Sequence, residues 1–301
     1  MQIAHGDEVP VVCDGGGVRT GKVGKQFLLS GDPASPGNFK FGLFHQYGDF
    51  FSPRHRHNFC QYRVQLEGLC LYGLSGKMEP GTIGYFPEGA YYGPQGPDTG
   101  DTYTATLQFG GPSGSGLLTP EQTAAAKKEL LKTGFFQEGV YQRNPDVPGK
   151  KNMDGFEAVW EHLNGRTLVY PEPQYATPVM MYPDHYRWMP VAGVNGLEVS
   201  GVEEKLLGVF TDCQIPCALY RLQPGAAFTA QGRGVFMVLS GHGALRGDTF
   251  RRFTSVYLDT GETIRFDADQ VSEILLLGMP DVAAIQAHAP VEVPVEAPAP
   301  A

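Results

Sequence analysis

From about Lys40 onward, apolar and polar side chains alternate in short runs separated by glycine and proline. This is the pattern of half-buried β-strands joined by turns. Phe41 to Tyr47 reads as one strand, Leu69 to Leu74 as another. Thr82 to Pro87, Ala90 to Gly93 and Tyr103 to Phe109 follow. Between them lies Ser52-Pro53-Arg54-His55-Arg56-His57-Asn58-Phe59-Cys60-Gln61-Tyr62-Arg63-Val64-Gln65-Leu66-Glu67-Gly68. Strand periodicity places His55, His57, Phe59, Gln61, Arg63 and Gln65 on one face, and Asn58, Cys60, Tyr62, Val64 and Leu66 on the other.

The texture then changes. Gly110 to Gly116 reads as a linker or loop. Thr119-Pro120-Glu121-Gln122 opens a helix, with threonine as N-cap and proline at the first position; Gly134 is its expected stop. A second short helix is predicted over Gly155 to Leu163, ending near Gly165. Residues 165–200 are rich in proline and tyrosine and show little periodicity. Strand texture returns from Glu204, clearest at Leu206 to Phe210, Cys217 to Leu222, Val235 to Leu239 and Glu273 to Leu277. The tail from Ala287 is rich in Pro, Ala, Val and Glu and reads as extended or disordered.

Composition agrees with a β-rich chain: 40 glycines and 24 prolines among 301 residues, with 42% hydrophobic side chains. A net charge of −9 and no run of Lys or Arg argue against nucleic-acid or anionic-membrane partners. The five cysteines form no Cys-x-x-Cys pair, so a disulfide framework is not expected and a reducing cytoplasm is the default. The opening residues lack a basic region followed by an apolar run, and no uninterrupted apolar stretch is long enough to span a bilayer. Neither a signal peptide nor a membrane span is expected.

The chemistry-bearing stretch is His55 to Gly68. Two imidazoles one residue apart on one strand face can grip one metal ion, and they also fit a half-exposed strand with chance histidines. Asp14-Gly15-Gly16-Gly17 lacks the spacing of a phosphate loop and reads as a turn.

Residues 41–110 resemble the cupins, small antiparallel barrels with two short motifs. The first runs from a glycine through His-x-His and a Glu to a second glycine. The second runs through Pro-x-Gly to a His. Here Gly48, His55, His57, Gln61 and Gly68 follow the first layout. Pro80-Gly81 and Pro87-Glu88-Gly89-Ala90-Tyr91-Tyr92 follow the second. Gln61 stands where the family has Glu, and Tyr92 where it has His. Aligning Gly68 with Gly241 places His55 on Phe228, His57 on Ala230 and Gln61 on Gly234. Aligning Pro80-Gly81 with Thr260-Gly261 places Tyr92 on Ser272. The second strand-rich region thus resembles a copy without ligands.

The resemblance implies a mainly β bicupin with two antiparallel double-stranded β-helix (jelly-roll) barrels. Its expected parts are residues 1–112 as a ligand-bearing barrel, 113–200 as a helical connector, 201–285 as a degenerate barrel and 286–301 as a tail. It implies a divalent metal, Fe(II) first with Zn, Mn or Ni as alternatives, held by His55, His57 and Gln61. The implied chemistry is that of an oxygenase on an anionic or enolisable small molecule, with an isomerase, a lyase or a non-catalytic binder as alternatives. Arg63 and Tyr92 are the candidate catalytic residues. Arg63, Gln65, His45 and Tyr47 are the candidate substrate-binding ones. Arg63 either meets a protein carboxylate or forks onto a substrate carboxylate. Tyr92 either ligates as phenolate, transfers a proton or only hydrogen-bonds. Monomer and homodimer are both open.

Overall fold

The computed structural model describes residues 1–15, 18–114, 117–193, 198–210 and 214–288. The first part of the chain forms β1 (Gln2–His5), β2 (Val12–Gly15), β3 (Lys22–Ser30), β4 (Phe39–Gln46), β5 (Cys60–Leu71), β6 (Lys77–Met78), β7 (Ile83–Phe86) and β8 (Gly96–Phe109). A middle part holds α1 (Pro120–Leu130), β9 (Gly134–Gln137), β10 (Val140–Arg143), β11 (Asn152–Asp154), α2 (Gly155–Asn164), β12 (Val179–Met181) and β13 (Met189–Ala192). The last part holds β14 (Glu198–Phe210), β15 (Ile215–Leu222), β16 (Ala227–Gln231), β17 (Gly234–Ser240), β18 (Gly243–Leu245), β19 (Asp248–Phe250), β20 (Thr254–Leu258), β21 (Thr263–Ala268), β22 (Ser272–Gly278) and α3 (Val282–His288).

Two large antiparallel sheets dominate. One runs β12-β7-β5-β8-β4-β3-β2, the other β1-β20-β17-β22-β15-β14-β13. The two orders correspond strand for strand. Each sheet borrows its first edge strand from elsewhere: β1, at the start of the chain, pairs with β20, and β12, from the middle part, pairs with β7. Exchanged strands cover edges that would otherwise present unpaired backbone groups. A four-stranded sheet, β16-β21-β18-β19, closes the second barrel. In the first barrel the bridges Ser52–Gln95 and His55–Tyr92 do the same work.

Alternation along the strands decides where each side chain goes. The apolar face of the first sheet (Phe41, Leu43, Tyr62, Val64, Tyr85, Leu107) packs on the apolar face of the second (Phe210, Cys217, Val235, Met237, Leu275, Leu277) in one shared core. The opposite face of each sheet lines its own barrel. In the second barrel that lining is apolar and buried, with Phe228, Ala230, Phe236, Val238, Phe266 and Ile274 among it. In the first it is polar.

Strand pairing corrects one part of the internal alignment. Gln61 pairs with Phe86 and Gln108, and Gly234 pairs with Leu258 and Gly278, so the first-motif alignment coincides with the sheet register. His55 faces Tyr92, and Phe228 faces Phe266. Phe266, not Ser272, therefore stands where Tyr92 does. The turn Thr260-Gly261 leads into β21, whereas Pro80-Gly81 leads into β7, whose counterpart is β20; matching the turns by composition had skipped a strand.

The predicted helices form, with small shifts. Thr119 and Gln122 make a reciprocal capping box on α1, but the helix closes at Leu131, and Gly134 opens β9 instead. Asp154 caps α2, and Gly165 ends it in the left-handed conformation. The region read as aperiodic contributes β12 and β13, each too short for periodicity to register. Gly16, Gly17, Ser115, Gly116, Cys213 and the tail beyond His288 lie outside the described residues.

Candidate metal and substrate site

Inside the first barrel the polar face of β5 meets the segment before it. His55 and Tyr92 face each other across their bridge with ring centroids 4.4 Å apart, and the His55 and His57 rings lie 4.8 Å apart. His55 is pinned through Nδ1, which donates to the Pro53 carbonyl at 2.7 Å and lies 3.2 Å from the Ser52 hydroxyl. That contact fixes the tautomer and leaves Nε2 free to accept or ligate. His57 stacks on Phe59 at 4.4 Å, takes the edge of Phe156 at 4.7 Å, and keeps a buried Nδ1 without a hydrogen-bond partner.

Both imidazoles are held neutral. Burial pushes each well below the ordinary histidine range, and neighbouring basic groups add to this. Arg19 and Arg63 act on His55; its neighbour His55, Arg19, Arg63 and Lys40 act on His57. A neutral imidazole is the form that binds metal.

Gln61 is fully engaged. Its amide nitrogen donates to the Tyr92 hydroxyl at 2.5 Å, and its carbonyl accepts from Gln108 at 3.3 Å and from Arg63 at 3.5 Å. Burial raises the Tyr92 phenol, so it keeps its proton at neutral pH. Arg63 lies over the rings of Phe86 (4.9 Å) and Tyr92 (5.4 Å). Among the described residues no carboxylate lies within ion-pair distance of it, and its Nε is buried without a partner.

The residues fit a divalent metal at two imidazoles: His55 offers a free, oriented Nε2, and His57 carries an orphaned buried nitrogen. Among the described residues no set of three His, Cys, Asp or Glu side chains gathers anywhere, so a metal here would keep open positions.

His45 and Tyr47, expected to bind substrate, lie elsewhere. His45 shares its parity on β4 with Phe41 and Leu43, so it leaves the sheet on the side away from the imidazoles. It pairs with Asp101 at 3.0 Å and stacks on Tyr47, whose ring also carries Lys22. Gln65 does line the interior; its amide nitrogen donates to the Glu67 and Gly68 carbonyls.

Sequence reasoning missed several neighbours. Thr104, Thr106 and Gln108 face Gln65, Arg63 and Gln61 across the β5–β8 ladder. Their alternation with Ala105, Leu107 and Phe109 is the signal that could have found them. Phe156 and the Arg19–Asp154 ion pair (2.7 Å) arrive by tertiary packing from distant segments, and no local pattern announces them.

No protein-family model and no curated protein sequence matches the chain. Solved structures do. A Nostoc punctiforme protein described as a "putative dioxygenase" superposes with a TM-score of 0.62 at 12% identity, over 93% of this chain and 82% of that one. A Geobacillus kaustophilus protein gives 0.51 at 11% identity, over 93% and 95%. Oxalate decarboxylase from Bacillus subtilis gives 0.51 at 12% identity, over 93% and 76%. The chain shares their fold. Mn(II) centres are described for the B. subtilis enzyme. The expected mainly β, antiparallel jelly-roll architecture is thus the one these proteins have.

Proposed function

We propose that the chain is a bicupin whose first barrel is a metal-dependent small-molecule site and whose second barrel is structural. The substrate is anionic or enolisable, and the reaction class is that of an oxygenase. The observation that carries this reading is the unpaired Arg63 guanidinium beside two neutral imidazoles. A fixed, uncompensated cation inside a barrel is a receptor for a carboxylate or enolate.

His55 and His57 would hold the metal, with Fe(II) first and Mn, Zn or Ni as alternatives. When bound, it supplies a Lewis-acid centre with open positions for substrate. The chain's own residues do the rest. Arg63 takes the anionic end of the substrate. Gln61 aims the Tyr92 hydroxyl, which keeps its proton and so serves as a hydrogen-bond donor or general acid, not as a phenolate ligand. Phe59 and Phe156 exclude water from the His57 imidazole, and Phe86 packs against Tyr92.

A second reading, a non-catalytic binder of small anions, is favoured by one specific observation: the Gln61 oxygen is already used by Gln108 and Arg63. Elemental analysis separates the two. The enzyme reading expects stoichiometric metal in the purified protein, lost on His55→Ala or His57→Ala, and oxygen uptake with carboxylates above that with their neutral esters. No metal, with none lost in the variants, leaves only the binder. No helix among the described residues is long and apolar enough to cross a membrane.

A further inference from the structure

The first barrel is polar well beyond the imidazoles. Gln65 pairs with Thr104 and Arg63 with Thr106 across the ladder, so both pairs point into the barrel. At the corresponding positions the second barrel has Val238 opposite Ile274 and Phe236 opposite Leu276. The fold itself therefore does not require polarity there. The cost of that polarity is visible: Arg63 Nε and Gln65 Oε1 are buried without hydrogen-bond partners. Unpartnered buried polar atoms are strongly unfavourable unless a ligand or water completes them. Arg63 Nε is a donor and Gln65 Oε1 an acceptor.

Resting on the reading of Arg63 as an anion receptor, we infer that the occupant is a compact hydroxylated carboxylate, a hydroxy acid of the aldonic or uronic type, and not an aryl or alkyl acid. The carboxylate accepts from Arg63. A hydroxyl farther along the molecule donates to Gln65 Oε1, which the acceptor-only oxygens of a carboxylate cannot do. An aryl or alkyl body would leave Gln65 Oε1 unpaired, a loss that discriminates strongly in sites built to bind hydroxyls. Side chains two apart on a strand are spaced by roughly 6.6–6.8 Å. Arg63 and Gln65 thus stand apart by about the reach from a carboxylate to a hydroxyl a few carbons along the same chain.

The test is calorimetric titration of the full-length protein with gluconate, galacturonate, benzoate and hexanoate. The hydroxy acids should bind at least tenfold more tightly than benzoate or hexanoate. Thr104→Val, which is isosteric, and Gln65→Leu should each weaken gluconate binding about tenfold and leave benzoate unchanged. Arg63→Met should weaken all four acids. Benzoate or hexanoate binding as tightly as gluconate, or gluconate binding indifferent to both substitutions, overturns the inference while the anion-receptor reading stands. If no acid binds, both fall.

Discussion

The Gln61 side chain donates to the Tyr92 hydroxyl at 2.5 Å, while its other end accepts from Gln108 and Arg63. The neutral amide is thus tied down on both sides. Gln61→Glu exchanges that amide for an acceptor-only anion, to which Tyr92 and Arg63 both donate. Divalent-metal affinity should rise at least tenfold, about 1.4 kcal/mol. Titration of metal-free wild-type and variant protein with Mn(II) checks this; unchanged affinity would mean that position 61 does not face the metal.

Arg63 and Phe236 hold equivalent places in the two ladders and should respond oppositely to truncation. Arg63 is a partly buried cation with no carboxylate in ion-pair distance among the described residues, so Arg63→Met should be neutral to stabilising, by up to about 1 kcal/mol. Phe236 is 1% exposed in a filled core, and Phe236→Ala should cost about 3–5 kcal/mol. Denaturant unfolding of the two variants measures both. A large destabilisation by Arg63→Met would show that the guanidinium serves the fold.

Phe156 closes the site from the connecting segment. Its ring meets His57 and Phe59 edge-on, and the first turn of α2 that carries it is capped by Asp154, which also pairs with Arg19. Phe156→Ala should expose His57. Asp154→Asn should do so to a lesser degree, because asparagine keeps the cap but loses the ion pair. Diethylpyrocarbonate acylates neutral, accessible imidazoles, and His242, with a half-exposed side chain, serves as internal standard. His57 labelling should accelerate at least tenfold in Phe156→Ala with His242 unchanged. Wild-type His57 labelling as fast as His242 would show the site already open.

What the sequence disclosed, and what it hid, follows from the range of each signal. The two faces of β5 were legible because strand alternation is local. Their meaning was not: Cys60, Tyr62 and Val64 look like the core of a single barrel but pack against the other sheet. That distinction needs the second half of the chain. His45 looked like a site histidine because its strand precedes the His-x-His pair, and only the register of β4 against β8 shows that it faces away. The exchanged strands β1 and β12 are four and three residues long, too short to reveal which sheet they join. Gln65 and Arg63, by contrast, follow from parity alone.

Neutral buried imidazoles make stability depend on pH. Both histidines have folded-state proton affinities well below the unfolded value near 6.5. Between the folded and unfolded values the unfolded chain binds more protons, so stability rises with pH. The contribution is complete above about pH 6.5 and is lost as pH falls below it, by up to about 1.4 kcal/mol per pH unit for each histidine. Urea unfolding of the metal-free protein from pH 8 to pH 5 should show this decline, and the double substitution His55→Gln, His57→Gln should flatten it. An unchanged slope in the double variant would place the acid sensitivity elsewhere.

The shared core between the sheets should make the two barrels unfold together. Tyr85 stacks on Phe210 at 4.0 Å, and Tyr62 packs against Phe210 and Phe109, each at 5.8 Å between centroids. Tyr62 is wholly buried, and its hydroxyl has no hydrogen-bond partner. Removing that hydroxyl in Tyr62→Phe relieves an unsatisfied polar group and should stabilise the protein by about 1 kcal/mol. Phe210→Ala opens a cavity between the sheets and should cost about 3–5 kcal/mol. Because Phe210 belongs to the second sheet and its stacking partners to the first, that loss should lower the midpoint for both halves as one transition. Hydrogen exchange read separately on β5 and β17 checks this. Faster exchange in β17 alone, with β5 unaffected, would mean that the barrels are held independently.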